Sequence, residues 1–302
     1  MYCDSFKYLE ELLMNNMEHR GLKKAFLKGQ LKKAAESMLL EGETIIIVTG
    51  FVVKDAAMGE TDGPIGAVSL AGALEQLGKK VVLITDIFSG NILKSCADVR
   101  GVKSTIQVIN DDINKQYAQD IFNIYKPSHI IAIERPGKAL NGKCYSARGE
   151  DISDIVPMMD VLFEEAEKAG IKTIAVGDGG NEIGMGRIRP YVIELIPNGE
   201  LIGASFASDF LIVAGVSNWG AHALVAALSI LAGKNLLHDT NTEKLMLQKM
   251  VEAGAVDGNT KKKAMTVDGF SLEQNLKILM ALKYVVQKVT EYVNNEHVPA
   301  KI

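Results

Sequence analysis

The chain is predicted to take an α/β fold: a mostly parallel sheet flanked by helices on both faces, with helical additions at the N- and C-terminal ends. Three observations predict it. Short β-branched apolar runs recur without polar alternation, the pattern of strands covered on both faces. Segments of helical periodicity separate these runs, as βαβ units require. Glycine-rich or acidic turns follow the carboxyl side of most runs, whereas plain Gly, Lys or Pro connections precede them.

The elements follow in order. Apolar residues at helical spacing fill the first forty positions (Leu9, Leu12, Leu13, Met17, then Leu22, Ala25, Phe26, then Ala34, Ala35, Met38, Leu39), with breaks at Gly21 and Gly29. Gly42 precedes the first strand, 44–49. A helix over 65–77 stops at Gly78 and leads into a strand over 81–85. A further strand candidate is 105–109. An amphipathic stretch, 113–125, is closed by Pro127 ahead of a strand over 130–133. Residues 156–169 read as a helix, with Asp154 as its cap and Gly170 as its stop, and 173–176 as the next strand. A strand over 211–214 precedes a helix over 221–231. Ser271 and Gln274 have capping-box spacing and open a last helix, with Leu276, Leu279, Leu282, Val286, Val289 and Val293 on one face. No linker rich in Pro, Gly or Ser interrupts the chain. One domain over 1–302 is therefore expected: a helical addition (1–42), an α/β core (43–235) and a second helical addition (236–302).

Composition narrows the function. Lys plus Arg number 33 against 37 Asp plus Glu, a net charge of −4, which argues against a surface built for nucleic acid. Partners are expected to be a small-molecule substrate and further copies of the chain. Cys3, Cys96 and Cys144 are sparse and unpaired in sequence, as reduced thiols of an intracellular protein would be. The acidic start, with Asp4, Glu10 and Glu11, fits neither a secretory signal nor a presequence, so a cytoplasmic protein is expected. Residues 210–233 carry no formal charge, but Gly215, Ser217, Asn218, Gly220 and His222 interrupt them. A buried strand, a turn and a buried helix explain this stretch better than a membrane span.

Ligands of open parallel sheets bind beyond the carboxyl ends of the strands, and the unusual residues lie there. Gly59, Glu60, Thr61, Asp62 and Gly63 form a turn that enters a helix at Pro64, whose free amides could hold a carboxylate or phosphate. This is no Walker loop, because the lysine and hydroxyl are missing, and no G-x-G-x-x-G follows any strand. Asp86 ends the second strand. Glu134 and Arg135 end the fourth, where Arg135 reads as a bidentate carboxylate clamp. Five glycines lie within residues 177–186, with Asp178, Asn181 and Glu182 among them and Gly179 and Gly180 at the sharpest turn. Ser217 and Asn218 end the sixth strand. Arg148, Asp151 and Asp154 lie in a polar loop that could fold over the site, and His222 reads as a hydrogen-bonded structural residue. So many carboxylates in one cleft suit an ammonium group or a divalent cation.

Four of these segments, 59–64, 134–137, 177–186 and 216–220, are similar to those of the D-glutamate cyclase family. That domain occurs alone in bacteria and as the C-terminal part of a mammalian mitochondrial protein; the likeness runs from about Thr49 to Phe270. The resemblance implies a hydro-lyase that interconverts D-glutamate and 5-oxo-D-proline plus water, with no required cofactor, although a divalent cation such as Mg²⁺ would fit. Ring closure needs a base for the α-ammonium, charge neutralisation at the γ-carboxylate and close contact between the two. On position and chemistry, Asp178 or Glu182 is expected to be the base, Arg135 to polarise the γ-carboxylate, and Glu134 or Asp86 to be the acid. Amides at 59–66 or 179–180 would stabilise the oxyanion. The alternatives are a Mg²⁺-dependent phosphate or nucleotide hydrolase and a non-catalytic acidic amino-acid binding protein.

Overall fold

The computed structural model describes residues 2–14 and 17–296; the side chains of Cys3 and Val293, named above, lie outside those it describes. Six strands form one parallel sheet: β1 (Thr44–Thr49), β2 (Lys80–Asp86), β3 (Thr105–Ile109), β4 (His129–Ile133), β5 (Lys172–Gly177) and β6 (Phe210–Val213). Their spatial order is β3-β2-β1-β4-β5-β6. Ile45, Ile46 and Ile47 pair with Val81, Val82 and Leu83 on one side and with His129, Ile130 and Ile131 on the other. The order reverses between β1 and β4. That is the topological switch point of a doubly wound sheet, where a crevice opens beyond the strand ends.

The apolar runs are continuous because each face of the sheet has its own core. Ile45, Ile47, Leu83, Ile131, Ile133, Ile174, Val176 and Ile212 enter one cluster. Their neighbours Ile46, Val48, Val82, Ile84, Ile130, Ala132, Ala175 and Leu211 enter the other. Successive side chains point to opposite faces, so a strand buried on both needs apolar residues at every position. Each fully buried Ile adds about 1.5–3 kcal/mol.

Helices cover both faces. The longer ones are α1 (Tyr2–Leu13), α2 (Gln30–Glu41), α3 (Pro64–Gln76), α4 (Gly90–Arg100), α5 (Lys115–Tyr125), α6 (Asp160–Lys168), α7 (Ser217–Ala232), α8 (Thr240–Glu252) and α9 (Leu272–Glu296). α5 and α6 pack on one face, whereas α3, α7 and α2 lie against the other, with α9 packed on α7. Residues 217–230 of α7 are all buried, which accounts for the uncharged stretch. Among the described residues no helix is long and apolar enough to cross a membrane.

Differences from the sequence-based expectations have local causes. α6 begins at Asp160 rather than near 156, because Asp154 does not cap it: that carboxylate pairs with Lys54 instead. α7 begins four residues early, because its cap comes from far away in the chain. The Asp62 carboxylate accepts the amide N–H groups of Ser217 and Asn218 at 2.8 and 2.7 Å. α4 was not anticipated. The 236–302 region is not wholly helical, since a short hairpin, Thr266–Val267 with Phe270–Ser271, precedes α9. The capping box forms as read: Gln274 Oε1 accepts the Ser271 N–H, and Ser271 Oγ accepts that of Gln274.

Candidate active site

The polar strand exits converge at the switch point. The oxygens of Asp62, from the loop after β1, Glu134, after β4, and Asp178, after β5, lie within 4.8 Å of one another, and all three side chains are buried. Beside them is a cavity of about 150 Å³. Glu60, Glu134, Asp178, Gly179 and Asn181 line it, as do Arg148, Lys54, Lys261 and Asp268.

Glu134 is central. Its φ of 45° is left-handed, a conformation that costs a non-glycine residue about 1–3 kcal/mol unless its surroundings impose it. Here they do: its N–H donates to Val176 O at 3.2 Å and its carbonyl accepts from Gly50 N at 3.2 Å. The bent backbone turns the side chain toward Ser217 Oγ, which donates to Glu134 Oε2. Burial, and after it the charges of Asp178, Glu182, Asp62 and Glu60, hold the Glu134 carboxyl well above the ordinary carboxylate range. Its surroundings thus favour the protonated form, as a general acid requires. Gly63 must be glycine here: its φ is 98°, and a Cβ would stand 2.8 Å from Glu134 Cβ and 2.9 Å from Thr49 Oγ1.

Asn218 ties the loops together. Its Oδ1 accepts the N–H groups of Gly63 and Gly66 at 3.0 and 2.7 Å, and its Nδ2 donates to Thr61 O. The approach is so close that a Cβ on Gly66 would meet Ala221 Cβ at 2.7 Å. Thr61 Oγ1 donates to Thr266 O, and a Cβ on Gly59 would meet Ser89 Oγ at 2.5 Å, so both residues pack behind the cavity. The amides of Gly63 and Gly66 thus serve Asn218 rather than an oxyanion.

Arg135, expected to clamp substrate, is fully buried. It pairs with Asp86 through Nη1, which also donates to Gly50 O at 3.1 Å, while Nη2 donates to Pro157 O at 2.7 Å. Asp86 Oδ1 accepts the N–H groups of Phe88 and Ser89. The guanidinium faces into the protein because Asp86, two strands away, balances its charge. Both residues brace the strand ends and neither reaches the cavity. Glu182 is also turned inward: its carboxylate accepts the N–H groups of Asp178, Gly179 and Gly180, closing the glycine-dense turn on itself. This removes Glu182 as a free base and those amides as an oxyanion hole. Asn181 Nδ2 donates to Tyr145 O at 2.8 Å.

The rim was only partly foreseen. Besides Arg148, it carries Lys54, Lys261 and Asp268, from segments read as connection or helical addition. The Asp257-Gly258-Asn259 turn followed by Lys261, Lys262 and Lys263 was the available signal. His222 is hydrogen-bonded, as read: His222 and His238 both bond the buried Glu243, at 3.2 and 2.6 Å, joining α7 to α8. Among the described residues two donor sets are of metal-binding kind, the oxygens of Asp62, Glu134 and Asp178 for a hard cation, and the His222, His238 and Glu243 group for a borderline one.

A family model described as D-glutamate cyclase-like, C-terminal, matches residues 9–283. Human mitochondrial D-glutamate cyclase is 35% identical over 237 residues, which is 74% of this chain. The chain spans 38% of that protein's length.

Proposed function

The chain belongs to the D-glutamate cyclase-like family, and from that premise we propose that it is a hydro-lyase interconverting D-glutamate and 5-oxo-D-proline plus water. One observation carries the reading: an acid with a raised pKa, Glu134, lies beside Asp178 at the end of a small cavity. Two carboxyls close together in one site, one of them with a raised proton affinity, are what an acid–base pair needs.

Bound D-glutamate places its α-ammonium against Asp178, which takes a proton and frees the amine. Glu134 donates its proton to the γ-carboxylate, making that carbon electrophilic. The nitrogen attacks, and the C–O bond breaks as the oxygen leaves as water. Two protons leave nitrogen and two end on the departing oxygen, so the chemistry is proton-neutral overall. Glu134, now a carboxylate, takes the second proton from the nitrogen and passes it to the departing oxygen. Asp178 finishes holding the first nitrogen proton and Glu134 none, and transfer between oxygens within 4.8 Å resets the pair. Holding amine and carboxyl in contact supplies a further part of the rate, as in any intramolecular closure.

The test is incubation with D-glutamate, with 5-oxoproline followed by chiral chromatography. Asp178→Asn should lower turnover by about 10²–10⁴-fold. A loss of less than about tenfold, ~1.4 kcal/mol in the barrier, rejects Asp178 as the base. A thermal shift with D-glutamate but no product would instead favour the binding-protein reading.

A further inference from the structure

We propose that Arg148 is the residue that selects for the substrate's α-carboxylate, holding it at the mouth of the cavity; this rests on the cyclase reading above. The argument begins with the charges. Glu60, Glu134 and Asp178 make one wall acidic, and only Lys54, Arg148 and Lys261 among the lining residues are cationic. Lys54 pairs with Asp154 at 2.8 Å, and Lys261 pairs with Asp55. Among the described residues Arg148 makes no ion pair, although its charge reaches the Asp55 carboxylate that Lys261 holds; its Nη2 donates to the neutral Asn259 carbonyl at 2.8 Å. One edge of the guanidinium is thereby anchored, and the rest of its donor fork stays open for a ligand.

The reaction dictates which ligand group goes there. The amine and γ-carboxyl must face Asp178 and Glu134, and they become the lactam. The α-carboxylate takes no part, survives in the product and projects from the ring. Against the acidic wall it would be repelled, so it points to the rim, where Lys54, Arg148 and Lys261 outnumber Glu150 and Asp268. Arg148 is presented there by a tight hairpin: Ser146 N–H donates to Glu150 O, Gly149 N–H to Ser146 O, and the Arg148 carbonyl accepts from Asn198 Nδ2. Its position is thus set before substrate arrives.

Because the α-carboxylate is common to substrate and product, the contact is uniform binding, and its loss falls on KM rather than on kcat. Arg148→Gln should raise KM for D-glutamate and for 5-oxo-D-proline by a similar factor, about 10–100-fold for a lost charge-assisted pair. A second readout needs no turnover. Calorimetry compares 5-oxo-D-proline with its carboxamide, which lacks the charge, on wild type and on Arg148→Gln and Arg148→Lys. Wild type should prefer the carboxylate by at least about tenfold; Arg148→Gln should abolish the preference and Arg148→Lys restore part of it. A wild type that binds both equally, or an Arg148→Gln protein that keeps the preference, overturns the proposal. A wild type that binds neither overturns it together with the cyclase reading. Carboxylate selectivity through Arg148 without 5-oxoproline formation from D-glutamate leaves the clamp standing and rejects the cyclase reading alone.

Discussion

Replacing Asp86 by Asn strands a guanidinium. Both members of the Arg135–Asp86 pair are fully buried, and Nη1 has only the Gly50 carbonyl besides the carboxylate. Arg135 Nε already lacks a partner, so no spare acceptor stands ready to compensate. Removing one partner of a buried pair costs about 3–5 kcal/mol, because the remaining charge is left uncompensated away from water. A chain of 302 residues unfolds with an entropy of roughly 0.6 kcal/mol per kelvin. Asp86→Asn should therefore lower Tm by about 5–8 °C, measured by circular dichroism on ligand-free protein. Arg135→Met should cost a comparable amount, because it leaves the Asp86 charge unpaired. The combined Asp86→Leu, Arg135→Met variant should recover at least half of either loss, since apolar residues of similar volume often replace a buried pair at little cost. If Arg135 instead clamped substrate, Arg135→Met would unfold within about 2 °C of wild type and lose ligand binding. That result would refute the bracing role argued here.

Two further predictions concern buried acids. Glu134→Gln should lower turnover by about 10²–10⁴-fold while keeping the fold. Wild-type D-glutamate cyclisation should decline as pH rises through the elevated Glu134 pKa; the Gln variant's residual rate should lack that limb. Asp160, on α6, is pushed up to about 6 by burial, against an ordinary value of 3.8, and its Oδ2 has no partner. A carboxyl whose folded pKa is raised favours folding below its unfolded value and loses that contribution as pH rises through the folded one. Asp160→Asn should thus be more stable than wild type at pH 8, by about 2–3 kcal/mol at ~1.4 kcal/mol per pK unit. The advantage should fade between about pH 6 and 4, and chemical denaturation at pH 4 and pH 8 checks the sign.

Much of the fold was legible in the chain because its signals are local. The run Ile45-Ile46-Ile47 can be satisfied only by two apolar faces, and both are present. Gly78 and Gly170 mark the ends of helices, and the Ser271–Gln274 box is made within four residues. The clustering of acids at strand exits follows from sheet geometry, so Glu60, Glu134, Asp178, Gly179 and Asn181 could be placed on one cavity from their positions alone. The rim was harder to see: Lys261 and Asp268 lie 80 and 87 residues beyond the last of these.

Which polar group faces the ligand and which faces the protein was a different matter. Arg135, Glu182, Asp86 and the Gly63 amide all read as candidate ligand contacts. All four are engaged by partners inside the protein: Asp86 and Arg135 by each other, Glu182 by its own turn, Gly63 by Asn218. Asp62 and Ser217 lie 155 positions apart, yet one caps the helix that the other begins. Periodicity and turn chemistry act over a few residues and are written in residue order. The charge balance of a buried group depends on whichever side chain lies within about 3–4 Å of it, and the packing of the whole chain sets that neighbour.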